Sequence, residues 1–418
     1  MKKYDKYKNS GVEWLGEIPE HWEEKKFKHI FSEKKKTTNV ELNCGSISFG
    51  KVVYKDDEKI PESTKRSYQV LSKGDFLINP LNLNYDLVSL RIALSDKDVV
   101  VSSGYIILNN NLKLNKDYYK WLLHIFDVVF MKTLGSGVRQ TLSFTHIANC
   151  ELVFPPLEEQ NKIAHFLHDK TTKIDQAIAI KQKQIELLKE HRQILIHKVL
   201  TQGINSNFVF SESGLELIGK IPKHWQIKKV KYLLKERNER SKDGLEPLFM
   251  MSQVHGLVVR SEYHSKAEVA QSSEGNKVVY KNDLVFNKLK AHLGVFFKST
   301  IEFNGIVSPD YAVYHSTGVI NDLKFLELLF RNPEYIKEFI CRATGIVEGL
   351  IRLYTADLFD IYVAVPPIKE QTEILEYIEN ANTKIATAIS LKEQEIEKLK
   401  EYKMSLIDGV VTGKVKVV

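Results

Sequence analysis

Apolar residues between Leu157 and Thr201 recur in alternating steps of three and four. The stripe they form reads Leu167, Thr171, Ile174, Ile178, Lys181, Ile185, Leu188, Arg192, Leu195, Val199. A stripe at that spacing stays on one face of a helix and forms the seam of a coiled coil. The pattern returns 211 residues later as Ile378, Asn382, Ile385, Ile389, Lys392, Ile396, Leu399, Lys403, Leu406, Val410. Apolar positions match apolar positions, and the three polar interruptions fall at the same places. Either helix alone would leave its stripe in water, so the two are expected to cover each other. Pro155-Pro156-Leu157-Glu158-Glu159-Gln160 precedes the first stripe and Pro366-Pro367-Ile368-Lys369-Glu370-Gln371 the second.

A second repeat sits upstream of each helix. Ser10-Gly11-Val12-Glu13-Trp14-Leu15-Gly16-Glu17-Ile18-Pro19-Glu20-His21-Trp22 returns 203 residues later as Ser213-Gly214-Leu215-Glu216-Leu217-Ile218-Gly219-Lys220-Ile221-Pro222-Lys223-His224-Trp225. Matched Gly, Pro and Trp imply the same turn and the same aromatic anchor in both copies. The chain therefore reads as a tandem duplication: an opening motif, a globular stretch, then a long helix, twice over.

In the first globular stretch, Val52-Val53-Tyr54, Asp75-Phe76-Leu77-Ile78, Val99-Val100-Val101 and Tyr105-Ile106-Ile107-Leu108 predict short strands. Lys116 to Lys132 predicts a helix, broken by Gly135-Ser136-Gly137. The second stretch repeats the order. Lys281-Asn282-Asp283-Leu284-Val285-Phe286-Asn287 answers Lys73-Gly74-Asp75-Phe76-Leu77-Ile78-Asn79, and Ile306-Val307-Ser308-Pro309-Asp310-Tyr311 answers Val100-Val101-Ser102-Ser103-Gly104-Tyr105. Asp322 to Phe339 predicts the matching helix. The expected class is α/β (α+β): two mixed domains, at 1–155 and 205–365, each followed by a long helix, at 156–204 and 366–418. Outside the framework the two stretches diverge, which suggests two related binding modules with different targets.

At 418 residues the chain holds more than one core, and its net charge of +7 permits a polyanionic partner without demanding one. Cys44, Cys150 and Cys341 are isolated, so neither a zinc knuckle nor a disulfide framework is indicated. The absence of a signal-peptide pattern and of a long apolar run points to the cytoplasm and away from a membrane.

Taken together, these motifs resemble the DNA-specificity subunit of type I restriction–modification enzymes. The carriers are the motif ending Ile-Pro-x-His-Trp, the Lys-Gly-Asp strand, the Val-Ser-x-x-Tyr strand and Pro-Pro-Leu-Glu-Glu-Gln before a long helix, each met twice and in order. One departure is Gly104 in the first copy against Pro309-Asp310 in the second. The resemblance implies two target-recognition domains, each reading one half of a bipartite site in double-stranded DNA, and two long helices lying antiparallel as a spacer. It also implies two methyltransferase subunits bound along the helices, with restriction/translocase subunits reached through the complex. No cofactor is expected in this chain; S-adenosylmethionine would belong to the methyltransferase. A coiled-coil scaffold with two protein-binding heads and no DNA contact is the alternative.

The residues themselves offer little enzyme chemistry. Asn79-Pro80-Leu81-Asn82 lacks the second proline and the aromatic of an amino-methyltransferase loop. No glycine-rich loop is suited to S-adenosylmethionine or phosphate. Pro309-Asp310 with Glu401-Tyr402-Lys403 imitates a nuclease centre, but Lys403 falls on the helix seam. No histidine or cysteine cluster marks a metal site.

For DNA contact, the candidates in the first copy are Lys34, Lys35, Lys36, Arg66, Asn79, Asn82, Arg91, Arg139 and Gln140. In the second they are Arg237, Arg240, Lys242, Lys288, Lys290, His292, Arg342 and Arg352. Arg pairs with guanine, Asn and Gln with adenine, and Lys more often with phosphate. Arg139-Gln140 and the Lys288–His292 stretch are favoured because each follows a rigid element directly. A solvated surface charge is the plain alternative for any one of them. Trp22 and Trp225 admit a partner surface, though a core anchor is favoured. The seam cations Lys181, Lys392, Arg192 and Lys403 either fix register or reach solvent along their stems.

Overall fold

The computed structural model describes residues 2–81, 90–131, 142–205, 207–263, 273–344 and 352–417. The chain forms two compact units, Met1–Gln182 with Glu393–Val418, and Lys183–Lys392. The division cuts both long helices, Leu157–Gln202 and Ile368–Val411, so each unit holds one globular head with the start of one helix and the end of the other.

The first head is built on a four-stranded sheet in the order Phe31–Glu33, Ile106–Asn110, Phe76–Ile78, Ile92–Leu94. The second repeats it as Leu234–Glu236, Tyr311–Ser316, Leu284–Asn287, Phe296–Lys298. Register repeats as well: Phe76 stands between Leu108 and Leu94, and Leu284 between Tyr314 and Lys298. Gln69–Leu71 pairs with Val99–Val101, as Lys277–Val279 does with Gly305–Val307. The opening strand Glu23–Lys26 pairs with Glu151–Phe154, as Gln226–Lys229 does with Tyr362–Val365. Every named ladder among the described residues is antiparallel, which makes the heads α+β.

The central strands read as unbroken apolar runs because both of their faces are covered. Phe76 and Ile78 enter the main core of the first unit, while Leu77 enters a smaller one with Val52, Leu71, Val99 and Ile107. Leu284 and Phe286 divide from Val285 in the same way. The turn before this strand needs a left-handed residue. Gly74 supplies it at φ 88° in the first copy, and Asn282 at φ 69° in the second.

The first head's helix runs Lys116–Phe126 and continues as a wider π turn, Asp127–Met131. In the second head the expected single helix over 322–339 is two, Lys324–Leu329 and Pro333–Arg342. Pro333 cannot donate to the preceding turn, and the Asn332 side chain caps the new start by accepting from the Glu334 N–H at 3.2 Å.

The main core of the first unit takes in Ile163, Leu167 and Ile174 from one long helix and Leu406, Ile407 and Val410 from the other. Lys181 Nζ lies 2.5 Å from Glu395 and Lys403 Nζ 2.7 Å from Asp175. One partner's number falls as the other's rises, so the two stretches run antiparallel within this unit. In the second unit Val199 and Leu200 share a core with Ile374 and Ile378. No described helix is long and apolar enough to cross a membrane.

Candidate nucleic-acid interface

The Glu-Gln dipeptide that opens each long helix fixes the head to it. Glu159 accepts from Trp22 Nε1 at 3.0 Å and from the Tyr4 hydroxyl at 3.0 Å, and lies 2.6 Å from His21 Nε2. Glu370 meets Trp225 Nε1 at 3.1 Å and His224 Nε2 at 2.8 Å. Burial alone would raise the Glu159 pKa, but the hydrogen bonds from Trp22, His21 and Tyr4 prevail and hold it below the ordinary 4.5. The adjacent glutamine turns to the other side. Gln160 accepts from the Asn115 N–H at 2.8 Å and donates to the Pro155 carbonyl at 2.8 Å. Gln371 accepts from the Asn321 N–H at 3.0 Å and donates to the Val319 and Pro366 carbonyls. Both glutamines are buried, as are Trp22 and Trp225, which anchor cores. The recurrence of Glu-Gln behind a recurring His-Trp is the sequence signal for this joint.

The seam residues are placed as follows. Leu167, Ile174, Ile185 and Val199 are buried, with Ile178, Leu188 and Leu195 half-buried. Ile378, Ile385, Ile396, Leu406 and Val410 are buried, with Ile389 and Leu399 half-buried. Arg192 is exposed.

In the first head, two of the DNA candidates turn out to be framework. Lys34 Nζ is 2.6 Å from Asp75 and also donates to Ser72 Oγ at 3.0 Å. The equivalent Arg237 grips Asp283 through Nε at 2.9 Å and Nη2 at 3.1 Å and lies over the Tyr280 ring. One cation–carboxylate pair thus recurs in both copies, locking the strand-opening turn, and Asp283 raises the Arg237 pKa further. Arg91 is a clearer correction. It is 5% exposed, its Nε donates to the wholly buried Asp127 at 2.9 Å, and its backbone N–H donates to the other Asp127 oxygen at 2.5 Å. A guanidinium so enclosed does not reach a DNA groove.

Lys35 and Lys36 are exposed, and Lys36 donates to the Ser103 carbonyl at 3.0 Å. Arg66 is exposed and pairs with Glu62 one turn away. Asn79 caps the turn after its strand, accepting from the Leu81 N–H at 3.1 Å. Asn82, Arg139 and Gln140 lie outside the described residues.

The second head gathers charge where the first does not. Asn287 repeats the Asn79 cap, accepting from the Leu289 N–H at 3.1 Å, and Lys288 follows where the first copy has Pro80. Lys277, where the first copy has Gln69, is buried and pairs with Glu236 at 3.0 Å. Lys288 is 3.8 Å from the same carboxylate, and its carbonyl accepts from the Leu353 N–H at 3.1 Å. Arg352 Nη2 donates to Asp310 at 2.5 Å, and its guanidinium lies 5.9 Å from the Tyr354 ring centre. Burial pushes the Lys288 ammonium below its ordinary pKa; Lys277 and Arg352 push the same way, against Glu236 and Asp310. Three cations thus share two carboxylates.

Of the remaining candidates, Lys290 is exposed, and His292 is half-buried with Nδ1 enclosed and unpartnered. Arg240 donates to the Gly275 carbonyl at 2.6 Å, and Lys242 is exposed. Arg342 is occupied elsewhere by Glu338 at 2.5 Å, with Asp360 at 3.9 Å. The described residues contain no cluster of His, Cys, Asp and Glu able to hold a metal.

The two heads share one framework and place charge differently at matched positions. Residues 19–190 match the family described as type I restriction modification DNA specificity domain. The chain is similar to specificity subunits of type I restriction enzymes. It is 25% identical to a putative type I restriction enzyme MjaX specificity subunit of Methanocaldococcus jannaschii over 96% of each chain. It is 24% identical to the MjaVIII specificity subunit of the same organism over 77% of this chain and 75% of that one. The fold resembles the HsdS subunit from Thermoanaerobacter tengcongensis, with TM-score 0.56 at 14% identity over 95% of this chain and 98% of that one. It also resembles a chain from a structure on complex assembly and conformational transition of the type I R-M system, with TM-score 0.66 at 14% identity over 95% and 99% of the two chains.

Proposed function

We propose that this chain reads a bipartite DNA target, one half-site per head, and holds two methyltransferase subunits, with restriction subunits joining through them. S-adenosylmethionine and the methyl-transfer chemistry then belong to the methyltransferase partner. The observation that carries this reading is the pairing of a common frame with divergent polar positions: Gln69 and Pro80 in one head stand where Lys277 and Lys288 stand in the other. A coiled-coil scaffold with two protein-binding heads and no DNA contact is the alternative that the salt series separates from it.

The long helices serve in this reading as an antiparallel coiled-coil spacer. Away from their seam they expose Ile180, Leu187 and Ile194 at steps of seven on the first helix, and Leu391 on the second. Exposed apolar positions outside the seam favour a protein partner. The test has two parts. With the methyltransferase present, binding to a target duplex should weaken steeply with salt, whereas a scaffold would not bind. A heptad inserted after Leu188 and at the facing level of the second helix keeps the seam in phase and adds about 10 Å. At about 3.4 Å per base pair, the gap between half-sites should widen by roughly three base pairs in methylation maps. An active variant with an unchanged gap would reduce the helices to a tether.

A further inference from the structure

We propose that Lys288 and Arg352 form a guanine-reading element of the second head, their donors directed at O6 and N7 of one guanine in the major groove. This rests on the reading of the chain as a DNA-recognition subunit and adds which base is read, by which head, and through which side chains.

The argument begins with what the cluster lacks. Glu236 is already committed to Lys277 at 3.0 Å, so Lys288, at 3.8 Å, has only a distant share of it. Its side chain is 17% exposed, and a cation so far withdrawn from water gains most from a close acceptor. Arg352 spends one Nη2 donor on Asp310, and its other side-chain donors have no partner among the described residues. The backbone brings the two together, since the Leu353 N–H donates to the Lys288 carbonyl. Arg352 is itself fixed by two backbone hydrogen bonds with Thr344, at 3.0 and 2.9 Å.

Two adjacent cationic donors call for two adjacent acceptors with no donor beside them. In the major groove only guanine presents that edge; adenine and cytosine each place an amino donor there, and thymine offers one acceptor and a methyl group. A phosphate contact needs no fixed orientation, and exposed lysines such as Lys290 suffice for it. Here the Arg352 guanidinium is oriented beforehand, with Asp310 at 2.5 Å on one side and the Tyr354 ring 5.9 Å away. Asp310 therefore acts as a positioning residue. The first head carries Pro80 and Gln69 where the second has Lys288 and Lys277, so its half-site should not depend on a guanine in this way.

The experiment uses the full chain with its methyltransferase partner, selecting from random duplexes. The wild-type protein should return a motif with a required guanine in one half. Inosine, which keeps O6 and N7, should replace that guanine without loss; 7-deazaguanine, which lacks the N7 acceptor, should not. Arg352→Ala and Lys288→Ala should each reduce preference at that single position by between about fivefold and about 150-fold, leaving the other half-site intact. Arg352→Lys, which keeps charge and loses the fork, and Asp310→Asn, which loosens it, should relax the same position while leaving the salt dependence near wild type. Melting curves establish that each variant is folded. Uniform weakening on all sequences would make these phosphate contacts and overturn the proposal, as would unchanged selectivity or tolerance of 7-deazaguanine. A wild-type protein that selects no sequence defeats the underlying reading instead, and the guanine assignment falls with it.

Discussion

The two heads share strand order, register, the capped turn after the central strand and the joint to the long helix, yet each solves burial of charge in its own way. The first buries the carboxylate of Asp127 against the buried guanidinium of Arg91. The second buries Glu327 but surrounds it with half-exposed partners: Lys324 at 2.7 Å, Arg331 at 3.5 Å and the Lys298 N–H at 2.8 Å. The difference shows that the frame fixes where the chain goes, while the polar interior is free to differ provided each charge finds a partner.

That contrast can be broken most sharply at Asp127. Asp127→Ala leaves Arg91 enclosed with no counter-charge, in addition to an Nη2 that already has no partner, and should cost roughly 3–5 kcal/mol in chemical denaturation. Glu327→Ala should cost less, because Lys324 and Arg331 can turn to water. Equal losses would mean that partner exposure does not matter here. The next largest effect tests sameness rather than difference. Gln160→Ala and Gln371→Ala each orphan a backbone N–H and carbonyl at the head–helix joint, and each should cost roughly 1–3 kcal/mol. A loss in one copy only would show that the duplicated joint is not energetically duplicated.

The smallest effect concerns pH. The Glu159 pKa is held below 4.5 in the folded chain, so its contribution is present above that pH and is lost as pH falls through the folded-state value. Glu159→Gln should therefore flatten the acid side of the stability profile below about pH 4.5. An unchanged acid limb would mean that other carboxylates dominate it.

Much of this architecture is legible in the chain because duplication exposes it. Periodicity marks both long helices, and matched Lys-Gly-Asp and Lys-Asn-Asp turns place the central strands. The split of the helix at 322–339 was also readable, since Asn332-Pro333 is a cap followed by a residue that cannot donate. Partners distant in sequence were harder. Nothing near Arg91 announces Asp127, so a buried arginine looks like any surface one. The pairing of Lys34 and Arg237 was more legible. Each aligns with the other, as Asp75 does with Asp283, and a charge pair kept in both copies belongs to the frame. Lys277 and Glu236 carry no signal in the sequence because the cluster forms only when separate strands and turns converge.

The placement of Pro80 and Lys288 has an evolutionary consequence. Lys288 stands directly after the strand Leu284–Asn287 and is half-buried, whereas Pro80 stands two residues after Phe76–Ile78 and is buried. A change at either position falls outside the strand itself but must still be accommodated by the packing around it. On the proposed reading, drift from one target to another at the strand's rim carries a packing cost that differs between the two heads.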